Sequence, residues 1–494
     1  MQLSPEEIQQ IVRKVIERIN RGEAAPAAAA PAPRAAASAS PAPVQATPEP
    51  SLPVGATPGI YPDIDSAVRA AAAAQAKLMT MGVEKRRLLI ENMRRRFREA
   101  IPGIAERTVR ETGLGRVQDK IGKNTLAVEK TPGVEDLEPI AWTGDDGLTL
   151  VERSPFGVIG SITPTTNPTE TIVCNSIGMI AAGNAVTFNT HPRAKRVCQE
   201  AIGLLNNAIV EAGGPPNLLT GIAEPSLKSS DELMHHPGIR LLIVTGGGEV
   251  AKAAFQSGKK AIVAGPGNPP AVVDETADLA LAARNITNSA SLDNNILCTA
   301  EKEMIVVASV ADRFIDELKR ASAYHVIGSN VQKLENLIFK EPGHLNRDLV
   351  GLDVQVILSK IGITVPANVK MAFVETGPDH PFVHTEMLMP VLPVVRVADV
   401  HAAIDLAIRA EKGNRHTATM HSRDITNLHK MARECEASIF VKNGPSYAGL
   451  GMGGEGYTSF SIAGPTGEGL TRTRNFCRER RCTLKDLFNI VGRG

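Results

Sequence analysis

Short apolar runs that alternate with helical stretches constrain this chain more than any other feature. From Val151 the run FGVIGSITP ends at Pro164, and NPTETIVCNSIGMIAAG follows with helical spacing. NAVTFNTHP is a strand ending at Pro192, AKRVCQEAIGLLNNAIVEAG a helix, and IRLLIVTGGGEVAKAAFQSG reads strand, Gly turn, helix. Strands separated by helices of ten or more residues build βαβ units and a parallel sheet covered on both faces. The expected architecture is therefore α/β and nucleotide-binding in pattern, with ligands at the carboxyl ends of the strands. A second α/β stretch begins near Ala261 with AIVAGPGNPPAVVDE and continues to ECEASIFVKN. The β-prone runs YTSFSIAG and RRCTLKDLFNIV near the C-terminus are of the kind that pair with another subunit.

Composition removes several function classes. Lys and Arg number 54 against 53 Asp and Glu, a net charge of +1, so no global field favours a polyanion. Aromatic residues make up 3% with a single Trp, too few for base-stacking platforms, and no nucleic-acid partner is expected. No apolar run approaches the length of a membrane span. The six cysteines are scattered and none forms a C-x-x-C pair, which argues against a disulfide framework or a zinc knuckle. No His, Asp or Glu cluster has metal-ligand spacing, so no metal is expected. The reading is a cytoplasmic enzyme.

The N-terminal segment stands apart. Ser4 suits an N-cap, Pro5 the first helical position and Glu7 the third, completing a capping box. Ile8, Ile11, Val12, Val15, Ile16 and Ile19 then form one apolar stripe. Ala/Pro-rich sequence follows to about residue 59, with nothing large to bury. A helix of about four turns is marginal alone in water. On a featureless tether its stripe is expected to dock on a partner, in the helix-in-groove mode, with packing back on its own domain as the alternative.

Two places carry candidate chemistry on the residues alone. Thr245-Gly246-Gly247-Gly248 follows an apolar strand and opens a helix, so its amides suit a phosphate at a helix N-terminus. The G-x-G-x-x-G pattern is not met, and a plain tight turn stands as the alternative. Gly449 to Gly456, GLGMGGEG, leads into no helix and reads as a loop of close approach. Among the cysteines, Cys298 alone lies in a polar, turn-prone stretch, ASLDNNILCTAEKE, ahead of a strand. A thiol there can face a cleft, whereas Cys174, Cys198 and Cys435 read as small buried hydrophobes.

Taken in order, ITPTTNP with NSIGMIAAGNAV, VTGGGEVAKAA, AGPGNPPAVVDETADL, DNNILCTAEK, HTEMLMPVLPVVRV and SIFVKNGPSYAGLGMGGEG are far more specific than any one of them. They resemble the aldehyde dehydrogenase superfamily, and closely its CoA-acylating branch of bacterial microcompartments (propionaldehyde and ethanolamine-pathway acetaldehyde dehydrogenases). The resemblance runs from about residue 60 to the end. It implies a Rossmann-like NAD-binding domain over 60–262, with part of an oligomerisation β-arm near 137–151. A catalytic α/β domain over 263–445 and a C-terminal segment completing the arm over 446–494 follow, in a homodimer or homotetramer. Residues 1–20 then read as an encapsulation helix for microcompartment shell or cargo proteins, on the linker 21–59.

At matching positions the resemblance makes Cys298 the nucleophile. Asn167 becomes the side-chain amide that forms the oxyanion hole with the Cys298 backbone N–H. Thr245, Gly246 and Gly247 match the turn against the cofactor pyrophosphate, and Glu386 the carboxylate on the nicotinamide ribose. Pro164, Asn189 and Pro192 match the adenosine side, with Thr163, Thr165, His191 and Pro390 also assigned to the cofactor. The usual Lys-Pro is replaced by Thr190-His191-Pro192, which leaves the choice of NAD over NADP open. His416 matches a histidine proposed to assist proton transfer, and a His that merely hydrogen-bonds its loop is the equal alternative.

One departure speaks to the acyl acceptor. Hydrolytic members carry a glutamate base where Ala264 stands here. Water, with a pKa of about 15.7, needs such a base at neutral pH. A thiol of pKa about 8.5 is partly ionised and far more nucleophilic. The expectation is thus a short-chain aldehyde, propionaldehyde first, oxidised with NAD and passed to coenzyme A. The rivals are the acetaldehyde-specific enzyme, a hydrolytic aldehyde dehydrogenase and an inactive structural cargo protein.

Overall fold

The computed structural model describes residues 57–341 and 343–487. The helix expected over residues 1–20 and nearly all of the expected linker fall outside the described residues. The first sheet has six parallel strands: β1 (Ile60–Tyr61), β2 (Val158–Ile162), β3 (Ala185–Asn189), β4 (Leu219–Ile222), β5 (Ile239–Thr245) and β6 (Ala261–Ala264). Their spatial order is β1-β4-β3-β2-β5-β6. The chain thus runs outward one way from β2 and the other way from β5. That reversal opens a crevice at the carboxyl ends of β2 and β5, where ligands bind in sheets of this kind. The loops at its lip are Thr163–Asn167 and Thr245–Gly247.

The central strands explain their own burial. All of β2 and β3 are buried, as is every residue of the helix α2 (Pro168–Ala181) packed beside them. A helix buried on every side belongs inside a large core, and its polar residues there, Glu170 and Asn175 among them, find partners in Lys123 and Ser161. Before it comes α1 (Val117–Lys130), which turns Lys120, Lys123, Asn124 and Ala127 inward. Their spacing of i, i+3, i+4 and i+7 is one helical face, so the two lysines are committed to the interior by register.

The second sheet has seven parallel strands: β7 (Pro270–Val273), β8 (Glu303–Val307), β9 (Ala323–His325), β10 (Met371–Thr376), β11 (Val391–Val397), β12 (Thr417–His421) and β13 (Ile439–Lys442). Their order is β9-β10-β11-β8-β7-β12-β13, with a separate apolar core. The apolar run from Ala261, read in the sequence as the opening of the second α/β stretch, is shared between the sheets. Ala261–Ala264 pairs with β5 in the first, and Pro270–Val273 lies between β8 and β12 in the second. The intervening Gly-Pro-Gly-Asn-Pro is the crossing.

A third, exposed sheet joins strands Ile140–Gly144 and Gly147–Pro155 to the C-terminal Cys477–Lys485, all antiparallel. Among the described residues no helix is long and apolar enough to cross a membrane. No group of three His, Cys, Asp or Glu side chains among them gathers to hold a metal ion.

Candidate active site

Cys298 lies between a sharp turn and β8, and that turn is unusual. Asp293, Asn294 and Asn295 all have positive φ, at 49°, 54° and 66°. Asp and Asn enter this region more readily than other side-chain residues, yet three in succession are strained and persist only when held. Each is held. The Asp293 N–H donates to Asp119 Oδ2 at 2.9 Å, and its Oδ1 accepts from the Arg116 N–H at 2.8 Å. Asn294 Nδ2 donates to the Gly351 carbonyl, and Asn295 Nδ2 to the carbonyls of Ala290 and Glu301. Buried Lys302 then donates to Asn295 O and Oδ1 and to Leu297 O, at 3.0, 2.8 and 3.1 Å. The Cys298 loop is pinned from below.

The Cys298 side chain is half-buried. Burial and the nearby Glu386 charge push its thiol up to about 12, against the opposing pull of Lys302 and Lys123. The sulfur is therefore a neutral thiol in the free protein, not the partly ionised group that an ordinary cysteine value implies. Burial likewise pushes Glu386 up to about 7, although Lys302 and the Gly267 amide favour its charged form. His416 is held down to about 4 by burial and by Lys302, and is neutral at pH 7. Its Nδ1 lies 2.9 Å from Thr417 Oγ1, and its backbone N–H donates to Glu411 Oε1 at 2.9 Å.

Gly267 is where three of the expected residues meet. A β-carbon there would lie 2.9 Å from His416 Cγ and 3.1 Å from the Cys298 carbonyl oxygen, and the Gly267 amide faces the Glu386 carboxylate. Only a glycine lets these groups close on one another. Asn268 anchors the segment by donating to the carbonyls of Val383 and Ala410.

Asn167 is the N-cap residue of α2, yet its side chain makes no cap hydrogen bond. An Asn in that place usually accepts from the helix amides, which is worth about 1 kcal/mol. Here its Oδ1 accepts from Lys123 Nζ at 2.6 Å instead. Lys123 in turn lies 2.5 Å from Asp293 Oδ2 and 3.3 Å from Glu170 Oε1. Lys120 reaches the same Asp293 oxygen at 3.0 Å and donates to the Thr166 carbonyl at 2.7 Å. One buried carboxylate, five residues before Cys298, thereby ties the cysteine loop to the asparagine loop. Sequence reading missed these lysines; their one trace is the helical register that places them with Ala127.

The turn after β5 fits a dinucleotide. The helix α3 (Gly248–Gln256) has Gly247 as N-cap with no side-chain cap. Gly247 has an ordinary φ of −67°; a β-carbon at Gly247 or Gly248 would meet nothing within 4 Å, and one at Gly246 only Val250 at 3.8 Å. Nothing in the folded chain calls for three glycines there. What they leave is a backbone cradle at a helix N-terminus, the setting for a pyrophosphate. Gly246 N–H bonds the Ala264 carbonyl at 3.2 Å, and Thr245 Oγ1 lies 2.8 Å from Ser461 Oγ. Pro164 and Thr165 are half-buried at the opposite lip, and the Thr163 N–H donates to Asn189 O at 3.4 Å.

Other expected cofactor residues are engaged within the protein. The Asn189 amide donates to Ser230 Oγ at 2.6 Å and accepts from Ser229 Oγ at 2.7 Å. His191 Nδ1 accepts from the Arg193 N–H, capping the short turn that starts at Pro192. Pro390 is buried and its carbonyl accepts from the Ala372 N–H. The Gly449–Gly456 loop is one of close approach: a β-carbon at Gly449 or Gly454 would lie 2.3 Å from its neighbour.

Residues 56–337 match the aldehyde dehydrogenase family. The acetylating acetaldehyde dehydrogenase EutE of Escherichia coli (strain K12) is 50% identical over 439 residues, 88% of this chain and 94% of that one. The chain belongs to the aldehyde dehydrogenase family. Among solved members, Rhodopseudomonas palustris propionaldehyde dehydrogenase, with bound CoA and an acylated cysteine, superposes with a TM-score of 0.86. It is 49% identical and covers 88% of this chain and 99% of its own. A propionaldehyde dehydrogenase from the Clostridium phytofermentans fucose utilisation bacterial microcompartment reaches 0.86 at 43% identity, covering 88% and 100%. That family member has also been solved with a cysteine, and separately a histidine, replaced by alanine. The two positions are as far apart in that chain as Cys298 and His416 are in this one.

Proposed function

We propose that this chain oxidises a short-chain aldehyde, propionaldehyde first among candidates, and transfers the acyl group to coenzyme A. One observation carries the reading: a nucleophile pinned at Cys298 without a water-activating carboxylate at Ala264. Ala264 is buried on β6, and the charges acting most on the thiol are Glu386, Lys302 and Lys123.

Cys298 loses its thiol proton to solvent water, and the thiolate attacks the aldehyde carbonyl, forming the sulfur–carbon bond as the carbonyl electrons move to oxygen. The Asn167 amide and the Cys298 backbone N–H receive that oxyanion, each donor worth roughly 3 kcal/mol. Thr245, Gly246 and Gly247 would hold the pyrophosphate of NAD or NADP, and Glu386 its ribose. The chemistry such a cofactor supplies when bound is hydride acceptance. Oxidation of the adduct leaves a thioester on Cys298, which the CoA thiol relieves as Cys298 departs. His416, already neutral at pH 7, is free to accept the proton that CoA releases, with no deprotonation of its own.

NADH formation from propionaldehyde, followed with and without CoA, tests the acceptor: sustained turnover is expected only with CoA, and acyl-CoA as product. Equal rates and free propionate would favour the hydrolytic reading. Replacing Cys298→Ala is expected to abolish NADH formation, and retained turnover would end the assignment. The N-terminal stripe is proposed to address the enzyme to a microcompartment. Deleting residues 1–20 should leave activity intact while co-purification with shell or cargo proteins is lost; persistent co-purification would refute that role.

A further inference from the structure

Asn167 is a primary amide, so its oxygen and nitrogen can exchange places by rotation about the last side-chain bond. Only one of the two arrangements presents donors to an oxyanion. The contact with Lys123 settles the choice, because an ammonium has three donors and no acceptor. The atom 2.6 Å from Lys123 Nζ must be the amide oxygen, which leaves the amide nitrogen on the other side. Thr166 Oγ1, at 3.3 Å, is a long partner for that nitrogen.

Lys123 is fully buried, as are its partners Glu170 and Asp293 and its neighbour Lys120. Two ammoniums and two carboxylates in a core are poor evidence for stability, since apolar residues of similar volume often fold as well or better. A different return is visible in the contacts. Lys120 holds the carbonyl of Thr166 and Lys123 the amide of Asn167, while Asp293 clamps both lysines. Loop and nucleophile are registered against one another through charges that cannot drift apart without exposing a lone ion.

We propose that Lys123 is a positioning residue for acyl transfer: by holding the Asn167 amide oxygen it aims the amide nitrogen at the oxyanion formed on the Cys298 adduct. The inference rests on the reading of Cys298 and Asn167 given above. It assigns to α1 a part in the reaction that its distance in sequence from Cys298 conceals.

The test is a mutant cycle in a charge-balanced background. Glu170→Gln with Lys123→Met removes one charge of each sign and the donor to Asn167. Glu170→Gln with Lys123→Gln is equally neutral but keeps a shorter donor. The first pair is expected to lower kcat by about tenfold, within the range for weakening one oxyanion donor, with the KM for NAD and CoA within about twofold of wild type. The Gln pair should recover part of that loss. In an Asn167→Ala background, both pairs should cost less than about twofold more. Thermal midpoints monitor folding, and if the Met pair does not fold, the Gln pair alone is read with and without Asn167.

Wild-type kcat in the pairs, equal losses for Met and Gln, or a full further loss without Asn167 would each overturn the positioning role. Failure of the underlying reading looks different: Asn167→Ala itself would then leave kcat unchanged.

Discussion

A β-carbon at Gly267 would press on both His416 and the Cys298 carbonyl, at 2.9 and 3.1 Å. Both neighbours are buried or pinned, so neither yields freely. Gly267→Ala is expected to lower kcat tenfold or more while leaving the binding of NAD, measured by fluorescence titration, close to wild type. The thiol itself makes a second prediction. With Cys298 pushed up to about 12, its thiolate fraction rises about tenfold per pH unit across the neutral range. Alkylation of the free enzyme by iodoacetamide should climb accordingly from pH 7 to 9 without a plateau. Glu386→Gln removes the negative charge that acts most on the thiol, so alkylation at pH 8 should quicken; a plateau near pH 8.5 would contradict this account. Ala264→Glu should raise free-acid release relative to acyl-CoA, and an unchanged product ratio would count against it. Cys298 was legible in the sequence because it alone among the cysteines sits in a polar turn. Its raised thiol was not, because burial and the approach of Glu386, 88 positions away, are made by the fold.

The alternation of apolar runs and helices was legible because period and length are local properties, and β2, α2, β3 and β5 lie where that pattern places them. The division of Ala261–Glu275 between two sheets was not, since two four-residue strands around a Pro/Gly crossing look like one run. The lysines of α1 were hidden for a related reason: nothing in VQDKIGKNTLAVEK tells which face will meet a buried carboxylate. The glycine cradle was half visible, because its motif is incomplete and the open space around it is made by the fold. Because a β-carbon at Gly247 meets nothing, Gly247→Ala should change stability by no more than about 0.5 kcal/mol. The same substitution should raise the KM for NAD severalfold through contact with the pyrophosphate. A lowered thermal midpoint with an unchanged KM would show that the glycine serves the fold.

Across the whole molecule, the segment Ala264–Gly267 touches both the turn after β5 and Cys298, through the Gly246 N–H on the Ala264 carbonyl and the close approach of Gly267 to the Cys298 carbonyl. The exposed arm sheet presents Ile140, Trp142 (52% exposed) and Leu484, with Leu487 just beyond its last strand, more apolar surface than an isolated edge carries comfortably. The dimer or dimer-pair expected from the sequence is proposed to cover it. Trp142→Glu should reduce the mass in sedimentation velocity, and an unaltered mass would place the interface elsewhere. The central claim is that a single sulfur carries the acyl group between aldehyde and CoA. Mass spectrometry of the peptide containing Cys298, after incubation with propionaldehyde and NAD but no CoA, tests it most directly. The peptide is predicted to gain one propionyl group, and to lose it when CoA is added. NADH formation with that peptide unmodified would contradict the account.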